Sequence, residues 1–146
     1  MTGGIELAES VRIMIIDDER GVRESFEMIL KIKDYEVTTF EDGESAIANL
    51  KKDMFDMAFV DYKLPGMDGI EVLKKIKEID PNVEVCIVTA YASETSHANA
   101  ITIGALEYLR KPFLMEEIYE LVERGLRKRR AKKQQKKEAG PMGPIH

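Results

Sequence analysis

Short apolar runs alternate along this chain with longer stretches in which apolar positions return every three or four residues. Val11-Arg12-Ile13-Met14-Ile15-Ile16 is brief and rich in β-branched side chains, which predicts a strand. Val22, Phe26, Ile29 and Leu30 then follow the i, i+4, i+7, i+8 spacing of one helix face. Residues 35–40 predict a half-buried second strand, and Asp42 is placed to cap a helix burying Ala46, Ile47 and Leu50. The third strand is expected over 55–60, and a helix after Gly69 presents Ile70, Leu73 and Ile76. Pro81-Asn82 closes that connection, and 83–88 reads as the fourth strand.

The fourth helix, over 93–103, is the weakest, because Ser93-Glu94-Thr95-Ser96-His97 is polar and poor in helix formers, and Gly104 is placed to stop it. Residues 105–109 predict a fifth strand, Lys111-Pro112-Phe113 breaks the chain, and a long last helix turns Ile118, Leu121 and Val122 inward. Past Arg127 the apolar stripe fades, and Gly140-Pro141-Met142-Gly143-Pro144 breaks any helix. Five successive strand–helix pairs argue for an α/β fold, a parallel sheet with helices on both faces and right-handed crossovers.

The 146 residues suit one domain with appendages: an N-terminal extension over 1–10, a domain over 11–126, and a basic helical extension with a frayed tail or linker over 127–146. No apolar run approaches the roughly 20 residues of a membrane span. The opening residues lack the basic and apolar regions of a signal peptide, so the cytoplasm is the expected compartment. Cys86, the single cysteine, lies inside a strand-like run and reads as a small buried hydrophobe. Residues 124–146 carry nine Lys/Arg against one acid, a formal +8 that leaves −13 on residues 1–123. That acidic body argues against nucleic acid as its partner. For the basic stretch the readings are a solvated helix, a partner-binding helix and, last, nucleic-acid contact.

The predicted topology gathers chemistry at one sheet edge. Asp17 and Asp18 end the first strand, Asp61 the third and Thr89 the fourth, and Lys111 follows the fifth. Clustered carboxylates repel, and a cation among them lowers that cost. An oxygen-only donor set suits Mg²⁺, while no Cys/His set with zinc spacing is present. A nucleophilic carboxylate, a metal and a fixed lysine are what phosphoryl transfer to Asp61 requires. Taken alone, Asp17-Asp18-Glu19 also reads as helix-capping acids, and Asp68 as a turn or cap residue.

Ile15-Ile16-Asp17-Asp18-Glu19, Val60-Asp61-Tyr62-Lys63-Leu64-Pro65-Gly66-Met67-Asp68-Gly69, Val88-Thr89-Ala90 and Leu109-Arg110-Lys111-Pro112-Phe113 resemble, in order and spacing, the receiver domain of bacterial two-component response regulators. The resemblance implies a flavodoxin-like (βα)5 doubly wound sheet of strand order 2-1-3-4-5. It implies Asp61 as phosphoacceptor, with Mg²⁺ held by Asp17, Asp18, Asp61 and the Lys63 carbonyl. It makes Lys111 the phosphate-binding lysine and Lys111-Pro112 a cis peptide. Thr89 and Tyr108 become switch residues, and Lys63 and Tyr91 flank the route of the water that removes the phosphoryl group. The implied role is a signalling phosphoacceptor that catalyses its own phosphorylation and dephosphorylation. Its partners are a histidine kinase or phosphotransfer protein and a downstream effector. A homodimer can form through the face made by the fourth helix, fifth strand and fifth helix. Two alternatives stand beside it. A phosphohydrolase of the haloacid-dehalogenase type would carry a second Asp where Lys63 stands. A flavin- or nucleotide-binding flavodoxin-like domain would need a phosphate loop after the first strand, and none is there.

Overall fold

The computed structural model describes residues 10–90 and 94–139. Its elements alternate as read: β1 (Arg12–Ile16), α1 (Arg20–Lys31), β2 (Glu36–Phe40), α2 (Gly43–Asn49), β3 (Met57–Asp61), α3 (Gly69–Ile79), β4 (Glu84–Thr89), α4 (Glu94–Ile103), β5 (Glu107–Arg110) and α5 (Met115–Ala139). All strand pairs are parallel, and the sheet order is β2-β1-β3-β4-β5, a flavodoxin-like arrangement. The chain reverses direction across the sheet between β1 and β3, which opens a crevice at their C-terminal ends.

Period-two alternation divides each strand between two cores. Ile13, Ile15, Met57, Phe59, Cys86 and Val88 face α1 and α5, where Phe26, Leu30, Ile118, Leu121 and Val122 meet them. Met14, Ile16, Ala58, Val60, Val85 and Ile87 face the other side, against Ala46, Val72, Leu73, Ile76 and Ala100. The central strands β3 and β4 are buried along their whole length, whereas edge strand β2 is half-exposed. Burial pushes the Cys86 thiol up, which keeps it protonated and inert.

The anticipated caps form. Asp42 accepts from the Ser45 amide at 2.7 Å, and Asp68 with Glu71 closes a capping box on α3. Glu19 holds the N-cap position of α1 but makes no side-chain cap, which leaves that carboxylate for the sheet edge.

The sequence pattern did not show how α5 ends. The helix runs unbroken through residue 127, and Arg129 is only 4% exposed. Its Nε donates to Asp56 Oδ1 at 2.9 Å and its Nη1 to the Asn82 carbonyl at 2.9 Å. Lys132 reaches the fully buried Glu84 carboxylate at 2.8 Å, with Lys128 at 3.6 Å. Up to Lys132, the extension is therefore tied to the N-terminal edge of the sheet, opposite the carboxylate cluster.

Candidate functional site

Register sets the site. Ile16 pairs with Val60, Asp61 with Val88 and Thr89 with Arg110, so the residues ending or following these strands emerge side by side. Backbone bonds lock the loops at that edge: Tyr62 N–H to Val88 O at 2.8 Å, Lys111 N–H to Thr89 O at 2.8 Å and Asp17 N–H to Phe40 O at 3.1 Å. The Lys111-Pro112 peptide is cis, as the resemblance implied. Gly69 packs so tightly beneath this edge that a Cβ there would collide with the Asp61 carbonyl oxygen and stand 2.8 Å from Tyr62 Cα.

Asp61 is 6% exposed and Asp17 1%, while Asp18 is exposed on the rim. One carboxylate oxygen from each of the three lies within 4.8 Å of the others. Lys111 Nζ stands 3.0 Å from Asp17 Oδ2, 3.3 Å from Glu19 Oε1 and 3.6 Å from Asp61 Oδ1. These groups open onto a pocket of about 330 Å³ lined by Asp18, Glu19, Asp61, Lys63, Thr89, Ala90 and Lys111.

The electrostatics report crowding. Burial, then the Asp17 charge, pushes Asp61 up to about 6, against the pull of Lys111 and of the Lys63 amide. Burial likewise raises Asp17, although the Glu19 amide and Lys111 oppose it. Burial alone would lower Lys111, but its contacts with Asp17, Asp61 and Glu19 outweigh that and hold it above the ordinary lysine range. One lysine thus faces two buried acids and a third acid at the rim. The unrelieved negative charge and the oxygen-only donor set fit a hard divalent cation.

Thr89 is 2% exposed and lines the pocket; Lys63 is exposed at its mouth. Tyr108 does not line it. The ring is 9% exposed, packs with the α3–α4 core and stacks on His97. Tyr91 lies outside the described residues. Two contributors escaped the sequence pattern. Arg23 donates to the Asp17 carbonyl at 2.8 Å and reaches Glu41 at 3.7 Å, fixing the β1–α1 loop against the end of β2. Its only signal was a position one turn into α1. Glu19 closes the Ile15–Glu19 motif, but its bridge to Lys111 needs the assembled sheet.

The response regulator receiver domain model matches residues 13–123. The chain belongs to this family. It is 36% identical over 115 residues to the sporulation initiation phosphotransferase F of Bacillus subtilis, covering 79% of this chain and 93% of that protein. It is 32% identical over 136 residues to the transcriptional regulatory protein PrrA of Mycobacterium leprae, covering 93% of this chain but 58% of that regulator. Among solved structures, a CheY-like receiver domain protein from Methanospirillum hungatei superposes with a TM-score of 0.80 at 29% identity, over 85% of this chain and 99% of that one. Neither the phosphohydrolase nor the flavin-binding alternative is favoured beside these relatives. Among the described residues, no helix is long and apolar enough to cross a membrane.

Proposed function

We propose that Asp61 is the phosphoacceptor of this receiver. The donor would be a phosphohistidine on a histidine kinase or phosphotransfer protein. One observation carries the reading: a buried strand-end carboxylate within 3.6 Å of a lysine and inside a three-carboxylate cluster, open to a pocket. An Asp61 oxygen attacks phosphorus and the P–N bond breaks. Its electron pair stays on the donor imidazole, which takes a proton from solvent, and an acyl phosphate remains. Lys111 pairs with one phosphoryl oxygen and the Thr89 hydroxyl donates to another. Asp17, Asp18, Asp61 and the Lys63 carbonyl would hold Mg²⁺, which neutralises charge between the carboxylate and the incoming phosphoryl group.

Hydrolysis returns the resting state, and Lys63 and Tyr91 are the residues that the family resemblance would assign to the water's route. The new charge of about −1.5 to −2 draws Lys111 and Thr89 toward Asp61 and shifts the population of α4–β5–α5 surfaces. An effector, or a second copy of the chain, reads that face in the cytoplasm. Intact mass after acetyl phosphate and Mg²⁺ tests the reading. One phosphoryl adduct is expected, and Asp61→Asn should abolish it. No adduct, or one indifferent to that substitution, overturns the reading.

A further inference from the structure

Helix α4 is weakly attached. Among its described side chains only Ala100 is buried and Ile103 half-buried, both in its second half. Toward its N-terminal end, His97 makes two contacts with β5. Its Nε2 lies 2.7 Å from Glu107 Oε1, and its ring stacks on Tyr108 with centroids 5.1 Å apart and planes 10° from parallel. The same Glu107 oxygen accepts the Tyr108 backbone N–H at 3.0 Å, and the other oxygen pairs with Arg124 of α5 at 3.5 Å. Burial would raise the Glu107 carboxyl, but the Tyr108 amide, His97 and Arg124 outweigh it and hold the group below its ordinary range. One carboxylate therefore joins α4, β5 and α5, and one imidazole covers the Tyr108 ring.

We propose that His97 is the positioning residue of this receiver's switch. The imidazole holds Tyr108 in its turned-in, buried orientation and ties α4 to the Glu107–Arg124 pair. It thereby sets how strongly phosphorylation at Asp61 is coupled to the α4–β5–α5 face. The inference rests on the proposed role of Asp61, but its contacts are all outside the phosphorylation pocket. A two-state switch responds to a ligand only through the difference in affinity between its states. In the proposed switch the phosphoryl group draws Thr89 toward Asp61 and vacates space for a turned-in Tyr108 ring. Contacts that favour that ring therefore raise the population competent to accept the phosphoryl charge, and linkage makes the effect reciprocal. The stack and the charge-assisted bond are separate contributions, so they should be separable by substitution.

The test uses the full chain with 3-fluorotyrosine, the Tyr108 signal being assigned with Tyr108→Phe. His97→Phe keeps the ring and loses the bond; His97→Gln keeps a hydrogen bond and loses the ring; His97→Ala loses both. In the resting protein the Tyr108 fluorine signal should move toward its solvent-exposed position in His97→Ala and only part of the way in the other two. The apparent affinity for beryllofluoride with Mg²⁺ should weaken by about three- to ten-fold in His97→Ala, the scale of losing one aromatic pair and one hydrogen bond. His97→Phe should recover part of it. A resting Tyr108 signal and a beryllofluoride affinity unchanged in His97→Ala overturn the inference. Failure of the parent chain to take a phosphoryl group on Asp61 overturns the proposed function instead, and the resting Tyr108 signal still decides the role of His97.

Discussion

Lys111 Nζ lies closer to Asp17 than to Asp61, at 3.0 Å against 3.6 Å. The lysine thus leans on Asp17 and leaves the proposed nucleophile, Asp61, less fully neutralised. A phosphoryl group on Asp61 offers a stronger anion and should draw the ammonium across.

Removing that ammonium separates catalysis from metal binding. Lys111→Ala should slow adduct formation from acetyl phosphate by about 10²-fold, the scale of one lost electrostatic contact to the transferring group. Mg²⁺ should bind at least as tightly as before, because a competing cation has left the carboxylates. Time-resolved intact mass and titration calorimetry check the two halves.

Gly69→Ala tests the packing beneath Asp61. The added methyl meets the Asp61 and Tyr62 backbone, which cannot rotate away as a side chain would. A destabilisation of about 2 kcal/mol is expected, within the range of overpacked core sites. Urea unfolding gives the stability, and adduct formation should fall with it even where the variant is fully folded.

At the opposite edge, Arg129→Ala removes one of two guanidiniums from Asp56, whose side chain is 14% exposed, and leaves Arg12 with its Nε at 3.7 Å and its backbone N–H at 2.8 Å. Because Arg12 still compensates the carboxylate, the cost should be about 2 kcal/mol, the scale of one hydrogen bond to a charged group, rather than that of an uncompensated buried charge. Urea unfolding should show that loss, while the Asp61 adduct of the folded variant forms at the parent rate.

Lys77 donates to the Val83 carbonyl at 2.6 Å, and burial, offset by Glu84 and reinforced by Lys132 and Lys128, lowers its pKa from 10.5 to about 8. A base whose folded pKa is lowered opposes folding fully below about pH 8, where both states keep the proton. Above that value the folded chain releases its proton first, so the penalty lifts as pH rises toward 10.5. The stability of the parent chain relative to Lys77→Met should therefore increase between these pH values. A flat difference would show that the lysine is solvated.

Local pattern placed much of the molecule. Strand and helix order, the Asp42 and Asp68 caps, buried Cys86 and inward Ile118, Leu121 and Val122 all follow from short-range periodicity and propensity. The boundaries of β3 and β4 moved: β3 starts at Met57 and includes Asp61, while β4 starts at Glu84 and includes Thr89. Glu84 hid because a carboxylate at a strand's start reads as solvent-facing until Lys132 and Lys128 arrive from α5. The inward face of α5 runs on from Val122 through Gly125 to Arg129, but a basic side chain conceals that periodicity from any hydrophobic pattern.

The sequence by itself determined the parallel α/β fold and the family, because strand-end acids, a threonine and a Lys-Pro pair in register with five strands leave little freedom. Tertiary structure alone decided which charges are shared. The preference of Lys111 for Asp17, the docking of Arg129 on Asp56 and the stacking of His97 on Tyr108 join residues 94, 73 and 11 positions apart. Such pairs depend on distance and burial after folding, and no local propensity encodes either.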